Sequence, residues 1–258
     1  MRLVRYEAGG RPAFGILSGG SVTELNGDYY GSLDAGGRGH ALSDVKLLAP
    51  CCPEKVIAVG LNYRDHASEL KLAVPSDPII FLKPPSSVIG PNETIIYPAM
   101  SEQVDFEAEL GVVIKDRCRN ITTSQAKDHI LGYTCANDVT ARDLQRADGQ
   151  WTRAKSFDTF CPVGPWIETD LDTKDLLVES YLNGKLRQSA RTSQLIFPVN
   201  YLVSFVSRIM TLAPGDLIIT GTPAGIGPMQ PGDKIEVRIE GIGSLLNVVH
   251  KLPLLRAQ

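Results

Sequence analysis

Polar and apolar residues alternate with a period of two between Asp105 and Ile114. Asp105, Glu107 and Glu109 fall on one parity, and Phe106, Ala108 and Leu110 on the other. Alternate residues of a β-strand face the same way. The segment is therefore predicted as a strand that buries Phe106, Ala108 and Leu110 and lines up three carboxylates on its opposite face. Aligned like charges repel unless water or a cation intervenes, and a divalent metal at this face would account for the pattern.

The surrounding pattern is that of a β-rich chain. Arg11–Leu17 and Ser21–Leu25 read as short strands, and glycine-rich 31–40 reads as a loop. Pro50 and Pro53 disfavour helix and strand alike, so they mark a linker between a small β-rich module, 1–50, and the remainder, 51–258. Lys55–Gly60 and Ile79–Leu82 are buried-strand candidates, with a short helix between them over Asn62–Leu72. Helical pattern is also predicted over Thr122–Ile130 and from Val139, and most strongly over Asn200–Leu212, apolar at Leu202, Phe205, Val206 and Ile209. Asn183-Gly184 is a hairpin turn signal. Pro214-Gly215-Asp216 and Pro231-Gly232-Asp233 are turns ahead of strands. Strands with few helices and no regular βαβ alternation argue against a Rossmann or barrel fold.

Composition narrows the function classes. A formal net charge of −3 over 258 residues argues against nucleic acid as partner, because phosphate binding needs a strongly basic surface. The apolar runs are too short to span a bilayer, and Met1–Glu7 has no apolar core of a signal peptide, so a cytoplasmic protein is expected. Five cysteines without CxxC spacing fit reduced thiols rather than a disulfide framework or a zinc site.

The candidate chemistry is acidic. Asp138 follows a short apolar segment at an expected strand end, where it would add a third carboxylate to Glu107 and Glu109; it also suits an N-cap of the following segment. Three carboxylates without histidine or cysteine favour a hard cation such as Mg²⁺ or Mn²⁺. His66 and Glu69, three apart on the expected helix, would meet on one face. A carboxylate beside an imidazole suits a general base, although the same residues suit a plain surface helix. Lys155 stands in a polar stretch, as a carboxylate binder or a surface lysine. Arg142 and Gln145 follow Asp138 at plus four and plus seven, placing them on one helical face with it. The loop Thr220–Pro228 has neither nucleotide-binding spacing, but its free N–H groups could hold a carboxylate.

Together these segments resemble the fumarylacetoacetate hydrolase family, from about residue 53 to residue 250. The resemblance rests on Gly60-Leu61-Asn62-Tyr63 with His66 and Glu69, Phe81-Leu82-Lys83-Pro84, Asp105–Leu110, Asn137–Asp143, Lys155-Ser156-Phe157-Asp158 and Thr220-Gly221-Thr222-Pro223. It implies a mainly β (α+β) mixed β-sandwich roll of the fumarylacetoacetase C-terminal type, usually a homodimer. It implies Mg²⁺ or Mn²⁺ held by Glu107, Glu109 and Asp138, and a flexible lid carrying His66 and Glu69 that closes over a 2-oxo acid or dicarboxylate. Lys155, as a catalytic residue, and Arg142, Gln145 and Thr222, as substrate-binding residues, match family positions. Leu61 departs from the arginine that some members carry.

The activity expected from this resemblance is metal-dependent C–C cleavage of an acylpyruvate-type 2-oxo acid through a metal-stabilised enolate. The same parts serve two alternatives, an oxaloacetate-type decarboxylase and an isomerase of a ring-cleavage 2-hydroxy-dienedioate. A binding protein without turnover is the remaining alternative; binding alone needs no general base such as the His66–Glu69 pair would supply.

Overall fold

The computed structural model describes residues 1–251; residues 252–258, the end of the segment assigned above as 51–258, lie outside the described residues. The fold is mostly β, built on a twelve-stranded sheet, a five-stranded sheet and a three-stranded sheet. Ala108–Ile114 lies inside the large sheet, antiparallel to Ile130–Asn137 on one side and to Leu217–Ile219 on the other. Val56–Gly60 runs parallel to Leu217–Ile219, and Ile79–Lys83 closes that edge.

All seven residues of Ala108–Ile114 are buried, because both faces of the strand are covered. Leu110, Val112 and Ile114 pack towards the five-stranded sheet and a helix, against Val178, Val237, Leu202 and Val206. Val113 packs on the other side with Leu3, Tyr29 and Cys161. The acidic segment is not one continuous strand, as the period-two pattern predicts. It breaks at Glu107 into Val104–Phe106, which belongs to the three-stranded sheet, and Ala108–Ile114. The pairing partners explain the break: Asp105 opposes Thr140 and Pro228, whereas Glu109 opposes Ala136 in the large sheet.

The N-terminal strands Arg2–Ala8, Arg11–Ser18, Ser21–Leu25 and Ala35–Ala41 continue the large sheet through pairing of Arg2–Ala8 with Cys161–Glu168. One of these departs from the sequence reading: Ala35–Ala41 is a strand in spite of its glycines because it pairs with Ser21–Leu25.

Four α-helices are described: α1, Arg64–Glu69; α2, Arg142–Asp148; α3, Thr152–Lys155; and α4, Val199–Ile209. The predicted helix over 122–130 reduces to turns and a short 3₁₀ segment, Ala126–His129. Helix α4 buries Val199, Leu202, Val203 and Val206, while Phe205 and Ile209 turn towards solvent with Tyr201. Asp138 is not a helix cap. It follows the Ile130–Asn137 strand directly, and extended Thr140–Ala141 separates it from α2. The shared helical face expected for Asp138, Arg142 and Gln145 therefore does not exist. Only Arg142 and Gln145 share a helix, and their side chains are bonded at 2.6 Å.

Candidate active site

Strand ends and the turns after them bring the chemistry together. The ladder between Ala108–Ile114 and Ile130–Asn137 ends where Glu107 N–H donates to Asn137 Oδ1 (2.9 Å) and Asp138 N–H donates to the Glu107 carbonyl (2.9 Å). This clamp holds Glu107 and Asp138 side by side. Glu109, two residues along, joins them: one carboxylate oxygen from each of Glu107, Glu109 and Asp138 lies within 4.8 Å of the others, and all three residues are buried. Asp105 is not part of this set; its carboxylate accepts from Gln103 and from Arg142 Nε at 2.8 Å.

Three cations enter the cluster. Lys155, the last residue of α3, donates to Glu107 Oε2 (3.0 Å) and Asp138 Oδ2 (2.6 Å). Lys83, the last residue of its strand, donates to Asp138 Oδ1 at 2.6 Å. Arg142, the first residue of α2, bonds both Asp105 and Glu107. Lys155 is thus no surface lysine. Burial alone would favour its neutral form, but the Asp138 and Glu107 carboxylates hold its ammonium above the usual lysine range. Lys83 is the third residue of the Phe81-Leu82-Lys83-Pro84 motif. Its parity with Phe81, two residues earlier on a strand whose end carries the site, is the signal that points to it.

Charge is unevenly met within the cluster. Burial opposes ionisation of Glu107, yet Lys155 and Arg142 hold its carboxyl below the usual carboxylate range. Glu109 has no such help. Its hydrogen bond among the described residues comes from Gly221 N–H at 2.6 Å. Burial first, then the Asp138 and Glu107 carboxylates, raise its pKa well above the ordinary value. With all groups ionised, the carboxylates of Asp105, Glu107, Glu109 and Asp138 face only Lys83, Arg142 and Lys155, leaving one negative charge uncompensated. An all-oxygen donor set with a missing positive charge fits a hard divalent cation.

The set opens into a cavity of about 290 Å³. Its walls include Glu107, Glu109, Asp138, Arg142, Gln145, Lys155, Thr222 and His66, with Val59, Leu61, Phe81 and Trp151. A Cβ at Gly60 would lie 2.7 Å from the Trp151 ring, so glycine there admits the indole. Trp151 in turn packs edge-on against Phe81, centroids 5.2 Å apart. Thr222 is fixed from behind: its hydroxyl donates to the Ala108 carbonyl (2.9 Å) and accepts from Gln188 Nε2 (2.8 Å). Gln188, which carries no motif, was invisible in the sequence.

His66 and Glu69 meet as their spacing predicts, with Nδ1 3.0 Å from Oε2. His66 is buried and lines the cavity, so the surface-helix alternative does not describe it. With Nδ1 committed to Glu69, Nε2 is the ring nitrogen left for chemistry. The other Glu69 oxygen accepts from Gly225 N–H at 3.0 Å. The glycine-rich loop does hold carboxylates on its amides, but they are the chain's own Glu109 and Glu69. Leu61, at a backbone φ of 54°, and Asn62 turn the chain into α1. The Asn62 amide anchors that turn to the Phe197 carbonyl (3.0 Å) and the Thr220 carbonyl (2.7 Å).

Residues 55–250 match the fumarylacetoacetate (FAA) hydrolase C-terminal family, and residues 1–50 match the Rv2993c-like, N-terminal family. Among relatives, the oxaloacetate tautomerase FAHD2B, mitochondrial, of Bos taurus is 43% identical, over 80% of this chain and 70% of its own. Among solved structures, 5-carboxymethyl-2-hydroxymuconate delta-isomerase from Mycobacterium smegmatis superposes with a TM-score of 0.93 at 46% identity, covering 98% of this chain and 100% of that one. Maleylpyruvate hydrolase from Sphingobium sp. SYK-6, in complex with manganese (II) ion and pyruvate, superposes with a TM-score of 0.83 at 30% identity, covering 98% and 100%.

Proposed function

We propose, from the premise that the chain belongs to the fumarylacetoacetate hydrolase family, that it is a Mg²⁺- or Mn²⁺-dependent enzyme that hydrolyses a C–C bond of an acylpyruvate-type 2-oxo acid. Glu107, Glu109 and Asp138 would hold the cation. When bound, the cation supplies Lewis-acid stabilisation of negative charge on the substrate's 2-oxo end. The observation that carries the reading is the His66–Glu69 pair standing over a buried carboxylate set in the same cavity.

The residues divide the work by chemistry. Arg142 and Lys155 set the positive side of the inner cavity, and Arg142 uses only three of its five N–H groups on protein acceptors. The Gln145 amide N–H groups offer neutral donors beside them, and the Thr222 hydroxyl, its proton on the Ala108 carbonyl, offers a lone pair. Glu69 fixes the His66 ring, so that Nε2 accepts a proton from water as it adds to the distal carbonyl. The bond between that carbonyl carbon and the pyruvoyl methylene then breaks, and the methylene takes up a proton to give pyruvate. Leu61 and Trp151 keep bulk water from the reacting carbons. Homodimeric assembly and a cytoplasmic location belong to the same proposal. The one structural observation bearing on location is that no described helix is long and apolar enough to cross a membrane.

A second reading, proton transfer without cleavage, is favoured by the similarity to the bovine oxaloacetate tautomerase and the mycobacterial delta-isomerase. It uses His66 on a substrate carbon-bound proton rather than on water. Acetylpyruvate and oxaloacetate, each assayed with Mg²⁺ or Mn²⁺ and again after chelation, separate the two. Metal-dependent release of pyruvate and acetate from acetylpyruvate is expected. Accelerated enol–keto exchange of oxaloacetate without any pyruvate selects the second reading, and inertness towards both substrates leaves isomerisation of a longer dienoic dicarboxylate or binding without turnover. His66→Ala is expected to lower turnover about 10²- to 10⁴-fold, the usual range for a positioned general base, with divalent-cation binding retained.

A further inference from the structure

The cavity has two chemically distinct halves. The buried carboxylates with Arg142 and Lys155 make one, and Leu61, Leu70, Leu72, Phe81 and Trp151 make the other. A row of contacts joins them. The Lys155 ammonium lies over the Phe81 ring, 5.2 Å from its centroid, and Phe81 packs against Trp151 with centroids 5.2 Å apart. An apolar aromatic wall therefore begins directly at the cation cluster.

The two residues that lead into α1 are arranged for this wall. Gly60 is not in the left-handed region, so backbone freedom does not account for it; a Cβ there would lie 2.7 Å from the Trp151 indole. Leu61 takes the left-handed position instead, at a φ of 54°, where glycine is the favoured residue. Glycine thus stands where the indole needs room, and leucine stands where glycine would be easier. The Leu61 side chain lines the cavity and is only 9% exposed.

Charge points the same way. Lys83, Arg142 and Lys155 are each bonded to buried carboxylates. Arg146, the further arginine of the wall, is exposed to water, which screens it. A carboxylate entering the apolar half would give up its hydration against leucines and an indole. An aromatic ring gains there from burial and from edge or stacking contacts with Phe81 and Trp151.

We propose that Phe81, Trp151 and Leu61 wall a slot for an aromatic acyl group, so that the preferred substrates are aroylpyruvates. The slot rests on the acylpyruvate reading of the inner site and narrows it: the group beyond the distal carbonyl is a ring and carries no second carboxylate. Trp151 and Leu61 are then specificity residues, placed beyond the bond that breaks.

The test uses 2-oxobutanoate, 2-oxoglutarate and 2-oxo-4-phenylbutanoate, which share a four-carbon 2-oxo chain and differ only in whether its last carbon carries hydrogen, carboxylate or phenyl. None has the distal carbonyl, so none is cleaved. Each is titrated calorimetrically into Mn²⁺-loaded protein. Wild-type protein is expected to bind the phenyl ligand about tenfold more tightly than either of the others, the factor for enclosing one ring between apolar side chains. Trp151→Ala brings the phenyl ligand to within about twofold of 2-oxobutanoate. Leu61→Gly suits the left-handed backbone, so it keeps the test open should Trp151→Ala fail to fold; it removes part of the phenyl preference and leaves 2-oxobutanoate as it was. Tightest binding of 2-oxoglutarate, equal binding of the phenyl and hydrogen ligands, or a phenyl preference that both variants keep would overturn the slot. Equal weakening of all three ligands by the variants would show a general distortion of the site and overturn it too. If none of the three binds wild-type protein, the 2-oxo acid reading itself falls, and the slot with it.

Discussion

Two buried carboxylates, Asp216 and Glu109, separate structure from function. They are equally hidden, at 0% and 1% exposure, yet opposite in their partners. Asp216, in the first Pro-Gly-Asp turn, accepts from the Lys55 ammonium, the Lys55 amide (3.2 Å) and the Ala213 amide (2.8 Å). Its charge is met, and it staples the start of one strand to the turn before its parallel neighbour. Glu109 accepts one backbone bond and faces two other carboxylates. Burial by itself therefore marks nothing. A buried acid without its cation marks a place where something else must bind.

Substitutions at the two positions sharpen this contrast. The largest expected effect is on cation binding: Glu109→Gln keeps the Gly221 bond but removes a ligand charge, and the affinity for Mg²⁺ or Mn²⁺ is expected to fall at least about 100-fold. Calorimetric titration of the cation reads it, and unchanged affinity would remove Glu109 from the site. Asp216→Ala should leave cation affinity within about twofold but lower folding stability by about 2–4 kcal/mol in urea, because Lys55 and two amides lose their acceptor. In metal-free protein Glu109→Gln should do the reverse, raising stability by about 1 kcal/mol, because a neutral amide needs no proton to sit beside the Asp138 and Glu107 carboxylates. If the two variants destabilise alike, the contrast is broken.

The remaining effect is in pH. Because Glu109 is held protonated beyond its ordinary range, the folded metal-free protein keeps a proton that the unfolded chain has released. The stability this group contributes is complete below the unfolded-state value, about 4.3, and declines as pH rises towards the folded value. Glu107 has the opposite sign: its contribution is present above the ordinary value and is lost as pH falls through the lowered one. Above the ordinary carboxylate range, until the folded value of Glu109 is passed, metal-free protein is therefore expected to lose stability with rising pH, by at most about 1.4 kcal/mol per pH unit for one proton. Saturating divalent cation abolishes the slope, and its binding releases a proton, measurable as a heat that depends on the buffer. A flat profile for metal-free protein would show Glu109 ionised without a cation.

The legible and illegible parts of the molecule follow the same line. The acid alternation, the His66–Glu69 spacing and the order of six short motifs were enough to anticipate a mostly β fold and to single out residues that the fold brings into one cavity. The break at Glu107 was not legible, because the period-two pattern runs through it unchanged while the pairing partners switch sheets. Nor was the strand Ala35–Ala41, whose glycines read as loop until Ser21–Leu25 pairs with it. Asp138 and Arg142 looked like neighbours on one helix; they meet instead through Glu107, each from a separate element.

Sequence alone determined which chemical groups are available, since residue types and local periodicity are one-dimensional properties: carboxylates at alternate positions, an imidazole three residues from an acid, lysines at the ends of apolar runs. Tertiary structure alone decided which acid is paid for by a cation and which is left short. Lys55 reaches Asp216 and Lys155 reaches Glu107 across long stretches of chain, and the range of an electrostatic contact is set by distance in space and by the water excluded around it, neither of which is written in the order of residues.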